Sequence, residues 1–450
     1  MPETRADQDV AVIGAGLAGC LAATLLGRSG RRVTLYERRA DPRATGAERG
    51  RSINLALSAR GLSALEQVGL RDEVLAQALP MQGRMVHAKD AAAQLQPYSA
   101  DRVRAIHSVS RGRLNELLLD AAEATPGVTL EFGHELESVD LDGGVLRFRT
   151  DTGPVERPAG LVLGADGSYA ASRRAVTFRA GFDFSQDFLS HGYKELTIPA
   201  VDGDFALDPG ALHIWPQGSS MMIALPNLDR SFTCTLFWTR EEFDALGTDD
   251  EIRSHFARHY PDVADLIPDL VDDFRRNPIG SLVTIRCSPW VHHGERASLA
   301  LLGDAAHAIV PFFGQGANCA FEDCIELDRL LAEAGDDLTG ALDAYQQARK
   351  ANCDAIAEMA LDNFVEMRDR VSSPVFRLRS RAQHALERAV PGRYQSRYEM
   401  VSFTTIPYVE IEHRMRRQNL GLLATGATGS GAALLAVRRL LRGRGSRVGS

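Results

Sequence analysis

An excess of charge of either sign is missing from this chain. Its 450 residues carry 51 Lys and Arg against 59 Asp and Glu, a formal net charge of −8. So mild an acidic balance leaves no basic footprint for a phosphate backbone, and a nucleic-acid partner is not expected. Cysteine is scarce too. Cys20, Cys234, Cys287, Cys319, Cys324 and Cys353 form no C-x-x-C pair. That pattern argues against a disulfide framework and suits reduced thiols in a cytoplasmic protein; no metal site is assigned. Long apolar runs are lacking with one exception, Leu420 to Val437, followed by Arg438, Arg439, Arg442, Arg444 and Arg447. Its Gly, Ala, Ser and Thr content makes it a poor bilayer span. A final helix or loose tail is expected, with weak peripheral membrane contact as the other reading. Met1 to Arg5 leads into a strand by about residue 9, so a signal peptide is not expected.

What is present is length and pattern. At 450 residues two or three domains are expected, and 44% hydrophobic with 24% charged residues is ordinary for a globular protein. Residues 9–13 form a short apolar run ending at glycine, as a buried parallel strand does. A helix over about 17–29 and a strand over 32–37 complete a βαβ unit. Residues 58–68 and 71–79 read as helices, as does 111 to about 125, and strands alternate over roughly 128–163. Residues 180–290 carry aromatic-rich, strand-like runs, and 297–303 return to the first domain. Beyond Gly316 helices dominate. The expected fold is therefore α/β: a Rossmann-like domain (1–179 and 291–365) with an inserted, mostly antiparallel β-sheet domain (180–290) and a C-terminal helical region and tail (366–450).

Three segments carry chemistry. Gly14, Gly16 and Gly19 fit G-x-G-x-x-G between a strand and a helix. The first permits the tight turn, the second lets backbone N–H groups approach a pyrophosphate, and the third allows close helix packing. Glu37 ends the second strand, where an acid binds ribose hydroxyls. Gly443 to Gly449 mimics the motif, but no strand precedes it, so it reads as a flexible end. With no second dinucleotide fold, any nicotinamide coenzyme is expected to bind transiently. Asp166 in Gly164-Ala-Asp-Gly167 follows a strand and suits either a cofactor contact or an Asx-type turn. Asp304 follows another strand, where it can accept from a ribityl hydroxyl. The turn Pro311-Phe312-Phe313-Gly314-Gln315-Gly316 then precedes a helix, placing backbone donors where they can face a flavin's carbonyl edge. His307 reads as a helix-start residue facing pyrophosphate or core rather than a proton shuttle.

Together these segments resemble the aromatic-hydroxylase family of single-component FAD monooxygenases, over residues 9–365. Longer strings are similar to the kynurenine 3-monooxygenase family within it: Arg49 to Leu57, His191 to Leu196, Leu212 to Pro216, Met222 to Asn227, Ser231 to Phe237, Gly303 to Gly314 and Tyr398 to Phe403. The resemblance implies bound FAD, with NADPH as transient co-substrate and O2 as the second. It implies flavin contacts at Gly14, Gly16, Ala18, Gly19, Glu37, Arg38, Arg39, Ala56, Arg111, Leu136, Asp166, Asp304, Gly316, Ala317 and Asn318, with Arg113 a rival to Arg111. It also implies that Pro311, Phe312 and Gly314 support a flavin C4a-hydroperoxide, and that Arg84, Tyr98, Asn363 and Tyr398 hold L-kynurenine. The implied reaction gives 3-hydroxy-L-kynurenine, in tryptophan degradation and NAD biosynthesis, by a monomer or homodimer. No catalytic acid or base is assigned, because the substrate's amine itself activates its ring. The family usually has Met where this chain has Ala317, and its mitochondrial members carry a more hydrophobic tail. Two other readings stay open: a hydroxylase of a modified kynurenine or another ortho-aminoaryl acid, and a non-catalytic flavin-binding protein. Halogenation is set aside, since Trp215, Trp238 and Trp290 form no W-x-W-x-x-P box.

Overall fold

The computed structural model describes residues 9–45, 54–88, 92–99, 103–370 and 395–418. Residues 49–53 of the first long string, the apolar segment 420–437 and the glycines of 443–449 lie outside them. The Rossmann-like half is a six-stranded sheet ordered Val291–His293, Ser298–Leu301, Leu161–Gly164, Asp9–Ile13, Arg32–Glu37 and Val128–Phe132. All its pairings are parallel except that of the edge strand Val291–His293. Val10, Val12, Val33, Leu35 and Leu161 to Leu163 are buried, as strands covered on both faces require. Helices Leu17–Arg28, Arg111–Glu123 and Gly316–Ala334 pack in the same core. At their carboxyl ends the strands deliver Gly14, Arg38, Ala165 and Leu302, so every cofactor motif emerges along one sheet edge. That edge is where open α/β sheets take ligands.

A seven-stranded sheet forms the second half, ordered Gly280–Ser288, Asp183–Ile198, Phe232–Thr239, Met221–Pro226, Ala211–Pro216, Gly83–Val86 and Gln94–Pro97. It is antiparallel except between Ala211–Pro216 and Gly83–Val86. Its last two strands come from the first stretch of chain, so the sheet is larger than 180–290. Helices Arg240–Asp244, Asp249–His259 and Leu270–Arg276 cover one face through Trp215, Trp238, Phe243, Phe256 and Phe274. Sequence patterning did not separate these short helices from the surrounding aromatic strands. The expected helix over 71–79 ends at Leu75, and Leu79–Met81 is a strand. Pro80 explains this, since the residue before a proline is pushed towards extended backbone. Beyond Gly316, helices Gly316–Ala334, Leu338–Val365 and Arg397–Phe403 and a helical stretch over 408–418 follow. Among the described residues no helix is long and apolar enough to cross a membrane.

Candidate active site

The three glycines of the first turn have separable roles. Gly14 has φ +100°, and a Cβ there would come within 2.7 Å of the Ala165 carbonyl oxygen. A Cβ on Gly19 would overlap the Gly14 carbonyl oxygen, whereas one on Gly16 would meet nothing within 4 Å. The turn is thus sealed by protein on two sides and open above Gly16, at a helix N-terminus with no side-chain cap. An anion fits that opening, where backbone N–H groups and the helix dipole both favour negative charge. Glu37 braces the turn, one carboxylate oxygen accepting from Ala15 N at 3.0 Å and the other from Arg39 N and Nε at 3.1 and 2.9 Å. Arg38 is exposed beside it. Leu136 is buried in the adjoining core, and Ala18 is partly buried against it.

Asp166 lies against the Gly14 turn, but its oxygens accept from Ser172 N at 2.9 Å and Ser172 Oγ at 2.5 Å. Its observed contacts hold the loop in shape. Asp304 is different: its residue is accessible to water, although protein crowds the carboxyl. That crowding raises its pKa, against the pull of the Arg111 charge. Arg111 starts helix Arg111–Glu123, and its charge acts on Asp304, while Arg113 in the same helix is held by Gln77 (2.6 Å) and Glu116 (2.9 Å).

Asn318 ties the backbone of Ala56, Ser58, Gly61 and Gly314 to its own helix. Its Oδ1 accepts from Ser58 N (3.0 Å) and Gly61 N (3.1 Å), and its Nδ2 donates to Ala56 O (3.0 Å) and Gly314 O (2.7 Å). The Pro311–Phe313 turn ends at Gly314 with φ +65°, where a Cβ would press on Ala56. The next helix begins at Gly316 and Ala317 without a side-chain cap, so its first N–H groups point out of the helix end. The open turn at Gly16 and Asp304 follow strands of one sheet, and Gly314 packs on Ala56 at the donor-bearing helix end, so these are the segments a cofactor cleft would use. Their chemistry fits FAD, an elongated molecule with an anionic centre and a hydrogen-bonding ring.

Elsewhere, Arg84, Tyr98 and Tyr398 meet, although Tyr398 is three hundred residues from the others in sequence. The Tyr98 and Tyr398 rings stack at 4.8 Å, and the Arg84 guanidinium lies 4.4 Å from the Tyr398 ring centre. Arg84 is 8% exposed and Tyr98 5%, yet Arg84 Nε and the Tyr98 hydroxyl make no well-formed hydrogen bond, although the Tyr398 side chain stands beside both. Burial raises the Tyr98 pKa well above its usual value, so the hydroxyl keeps its proton. For Arg84 burial works against the charge, but Tyr398, Tyr98 and Glu366 outweigh it. Glu366 escaped the sequence reading, although it sits three residues after Asn363, the helical spacing that gives neighbours. The surrounding walls are apolar: Met81, Ile106, Leu212, Ile223, Leu225 and Phe403. Asn363 is close by, but its Nδ2 donates to Phe312 O at 2.6 Å, and the Phe312 ring stacks on Phe364 at 4.2 Å. Its contacts position the Pro311–Phe313 turn. His307 faces the core, its Nε2 2.5 Å from Asp323 Oδ2.

Comparison with known proteins places the chain in a family. Residues 7–360 match the FAD binding domain family. A kynurenine 3-monooxygenase of Myxococcus xanthus is 48% identical over 91% of this chain and 88% of its own length. One of Stenotrophomonas maltophilia is 46% identical over 94% and 93%, and one of Dictyostelium discoideum 42% over 89% of each. Among solved structures, 2-methyl-3-hydroxypyridine-5-carboxylic acid oxygenase superposes with a TM-score of 0.66 at 21% identity, covering 86% of this chain and 98% of its own. Pseudomonas aeruginosa PqsL, in complex with 2-aminobenzoylacetate, gives 0.66 at 23%, covering 80% and 97%. These two show the shared fold. At the identities and coverage of the first three, the chain belongs to the kynurenine 3-monooxygenase family of FAD-dependent aromatic hydroxylases.

Proposed function

We propose that this chain uses NADPH and O2 to hydroxylate L-kynurenine next to its ring amine, giving 3-hydroxy-L-kynurenine. The observation that carries the substrate reading is the pair of buried donors without a well-formed hydrogen bond, Arg84 Nε and the Tyr98 hydroxyl. Each unpaired donor costs about 1–3 kcal/mol, and a substrate carboxylate that accepts from both removes that cost. Arginine suits the task because its planar fork can pair with both carboxylate oxygens. Tyr398 lies within reach of the same group, and Glu366 offers an anion suited to the α-ammonium. The apolar walls suit the aryl ketone. Bound FAD supplies the redox chemistry, activating O2 once NADPH has reduced it. The chain's own part is to hold the ring in place, exclude water and aim the Pro311–Phe313 turn through Asn363. Gly14, Gly16, Glu37, Ala56, Arg111, Asp304 and Asn318 would hold the cofactor directly or through the backbone they brace. No side-chain base is needed, since the ring amine's lone pair stabilises the cation formed by electrophilic attack.

The test is NADPH oxidation by the FAD-loaded protein with and without L-kynurenine, with products identified by mass. Strong stimulation and a product one oxygen atom heavier are expected. Stimulation that yields only hydrogen peroxide would move the assignment to a related ortho-aminoaryl acid, and no stimulation would overturn it.

A further inference from the structure

Two thiols that the proposed reaction does not use face each other beside the flavin-facing helix end. Cys319 lies in helix Gly316–Ala334 and Cys353 in helix Leu338–Val365; both are fully buried, with sulfurs 3.4 Å apart. Charge is concentrated around them. Arg349 Nη2 is 3.4 Å from Cys319 Sγ and 3.8 Å from Cys353 Sγ, and its Nε binds Asp323 Oδ1 at 2.8 Å. The other Asp323 oxygen is taken by His307, and Glu322 is divided between Arg349 and Arg60. Three basic groups thus share two carboxylates, leaving a positive surplus that a thiolate at Cys319 would neutralise. The hydrogen bond from Cys353 and the His307 and Arg349 charges hold the Cys319 pKa below the usual thiol value, while burial holds Cys353 well above it. One thiol is set to attack and its neighbour to resolve. His307, Cys319, Asp323 and Cys353 also offer ligating atoms within 4.8 Å of one another, but the Arg349 guanidinium already lies against Asp323 and both sulfurs.

We propose that Cys319 and Cys353 form an oxidisable dithiol that closes to an intramolecular disulfide when hydrogen peroxide arises at the neighbouring flavin. That source rests on the function proposed above, which sets the flavin ring against Ala317 and Asn318, next to Cys319. The Cys319 thiolate attacks one peroxide oxygen; the O–O bond breaks, a sulfenic acid forms and the other oxygen leaves as water with the proton that Cys319 gave up on ionising. The Cys353 sulfur then attacks the sulfenic sulfur; the S–S bond forms, the S–O bond breaks and a second water carries off the Cys353 proton. The two thiols are oxidised by two electrons and one peroxide is reduced to two waters. The sulfurs need to approach by about 1.4 Å to reach a bond of about 2.05 Å. The bond would link the helix that receives the flavin to the helix that bears Asn363, making the wasteful product of turnover a signal to the enzyme.

The test exposes the reduced FAD-loaded protein to stoichiometric hydrogen peroxide, then alkylates it in denaturant and maps its peptides by mass. The expected result is a joined pair of peptides bearing Cys319 and Cys353, two hydrogens lighter and separated again by dithiothreitol. Cys20, Cys234, Cys287 and Cys324 should remain alkylated. In Cys353→Ser, dimedone should mark Cys319 as the sulfenic acid; if that variant fails to fold, the wild-type map decides alone. Separate alkylation of Cys319 and Cys353, to the same extent as the other four, would overturn the proposal. Because peroxide is added directly, this outcome is independent of whether kynurenine is hydroxylated.

Discussion

The Tyr98 hydroxyl is a buried donor without a well-formed hydrogen bond, held beside a guanidinium and the Tyr398 side chain. Tyr98→Phe keeps the ring stack on Tyr398 and removes only that donor. Its kcat/KM for L-kynurenine should fall about 10- to 100-fold, the scale of a hydrogen bond to a charged group, mostly through KM. Thermal stability should be unchanged or slightly higher, because an unpaired buried donor is gone. The glycines make a second contrast. Gly16→Ala should leave the apoprotein's melting temperature near wild type but weaken FAD binding, since its Cβ projects only into the opening. Gly19→Ala should lower both, because the helix must part from the Gly14 carbonyl; thermal melts and flavin titration separate the two. These glycine roles were legible in sequence, as a three-residue spacing encodes them locally. The contacts of Asp166 and Asn363 were not. Both lay in recognisable strings, but Ser172 and Phe312, which occupy them, are known only once the chain is folded.

Between elements, a buried ionic joint forms around Asp323 in helix Gly316–Ala334. Asp323 accepts from His307 of the short Asp304–His307 helix and from Arg349 of helix Leu338–Val365. Burial opposes the charged forms of His307 and Asp323, yet their attraction wins, holding His307 up to about 9 and, with Arg349, Asp323 down to about 2. A raised histidine pKa stabilises the fold fully below its unfolded value of about 6.5. That contribution is lost as pH rises through about 9. The Asp323 contribution is present above its unfolded value of about 3.9 and is lost as pH falls through about 2. In denaturation of the FAD-free protein, the stability that wild type holds over His307→Gln should shrink as pH rises from about 6.5 to about 9.5. Asp323→Asn strands two buried cations and should cost about 3–5 kcal/mol by chemical denaturation. Asn318→Ala cuts four hydrogen bonds that fasten Ala56, Ser58, Gly61 and Gly314 to the helix end, so FAD affinity should fall with stability. The short buried parallel strands and the helices of this half could be read from apolar runs and glycine punctuation. The short helices over 240–276 could not, because tertiary burial of their aromatic residues overrides local pattern.

At the scale of the molecule, two sheets bring distant parts of the chain together. Arg84 and Tyr98 arrive on or beside strands of the seven-stranded sheet, and Tyr398 arrives on a helix near the far end of the described chain. Nothing in composition or periodicity links these positions; only the strings around them did so, by resemblance. The Rossmann-like half was legible because each of its motifs sits at a strand's carboxyl end, a rule of the architecture itself. The lateral extent of the second sheet was not, because Gly83–Val86 and Gln94–Pro97 join it from an earlier stretch of chain. The central claim is that this convergence makes a carboxylate clamp. The most direct measurement compares kcat/KM for L-kynurenine with that for the amine left when its carboxyl group is removed, in wild type and in Arg84→Leu. Wild type should favour L-kynurenine by about 100-fold or more, since the decarboxylated amine leaves the buried donors unpaired, and Arg84→Leu should shrink that preference to within about tenfold by weakening L-kynurenine alone. Equal use of both compounds by wild type, or an undiminished preference in Arg84→Leu, would contradict the clamp.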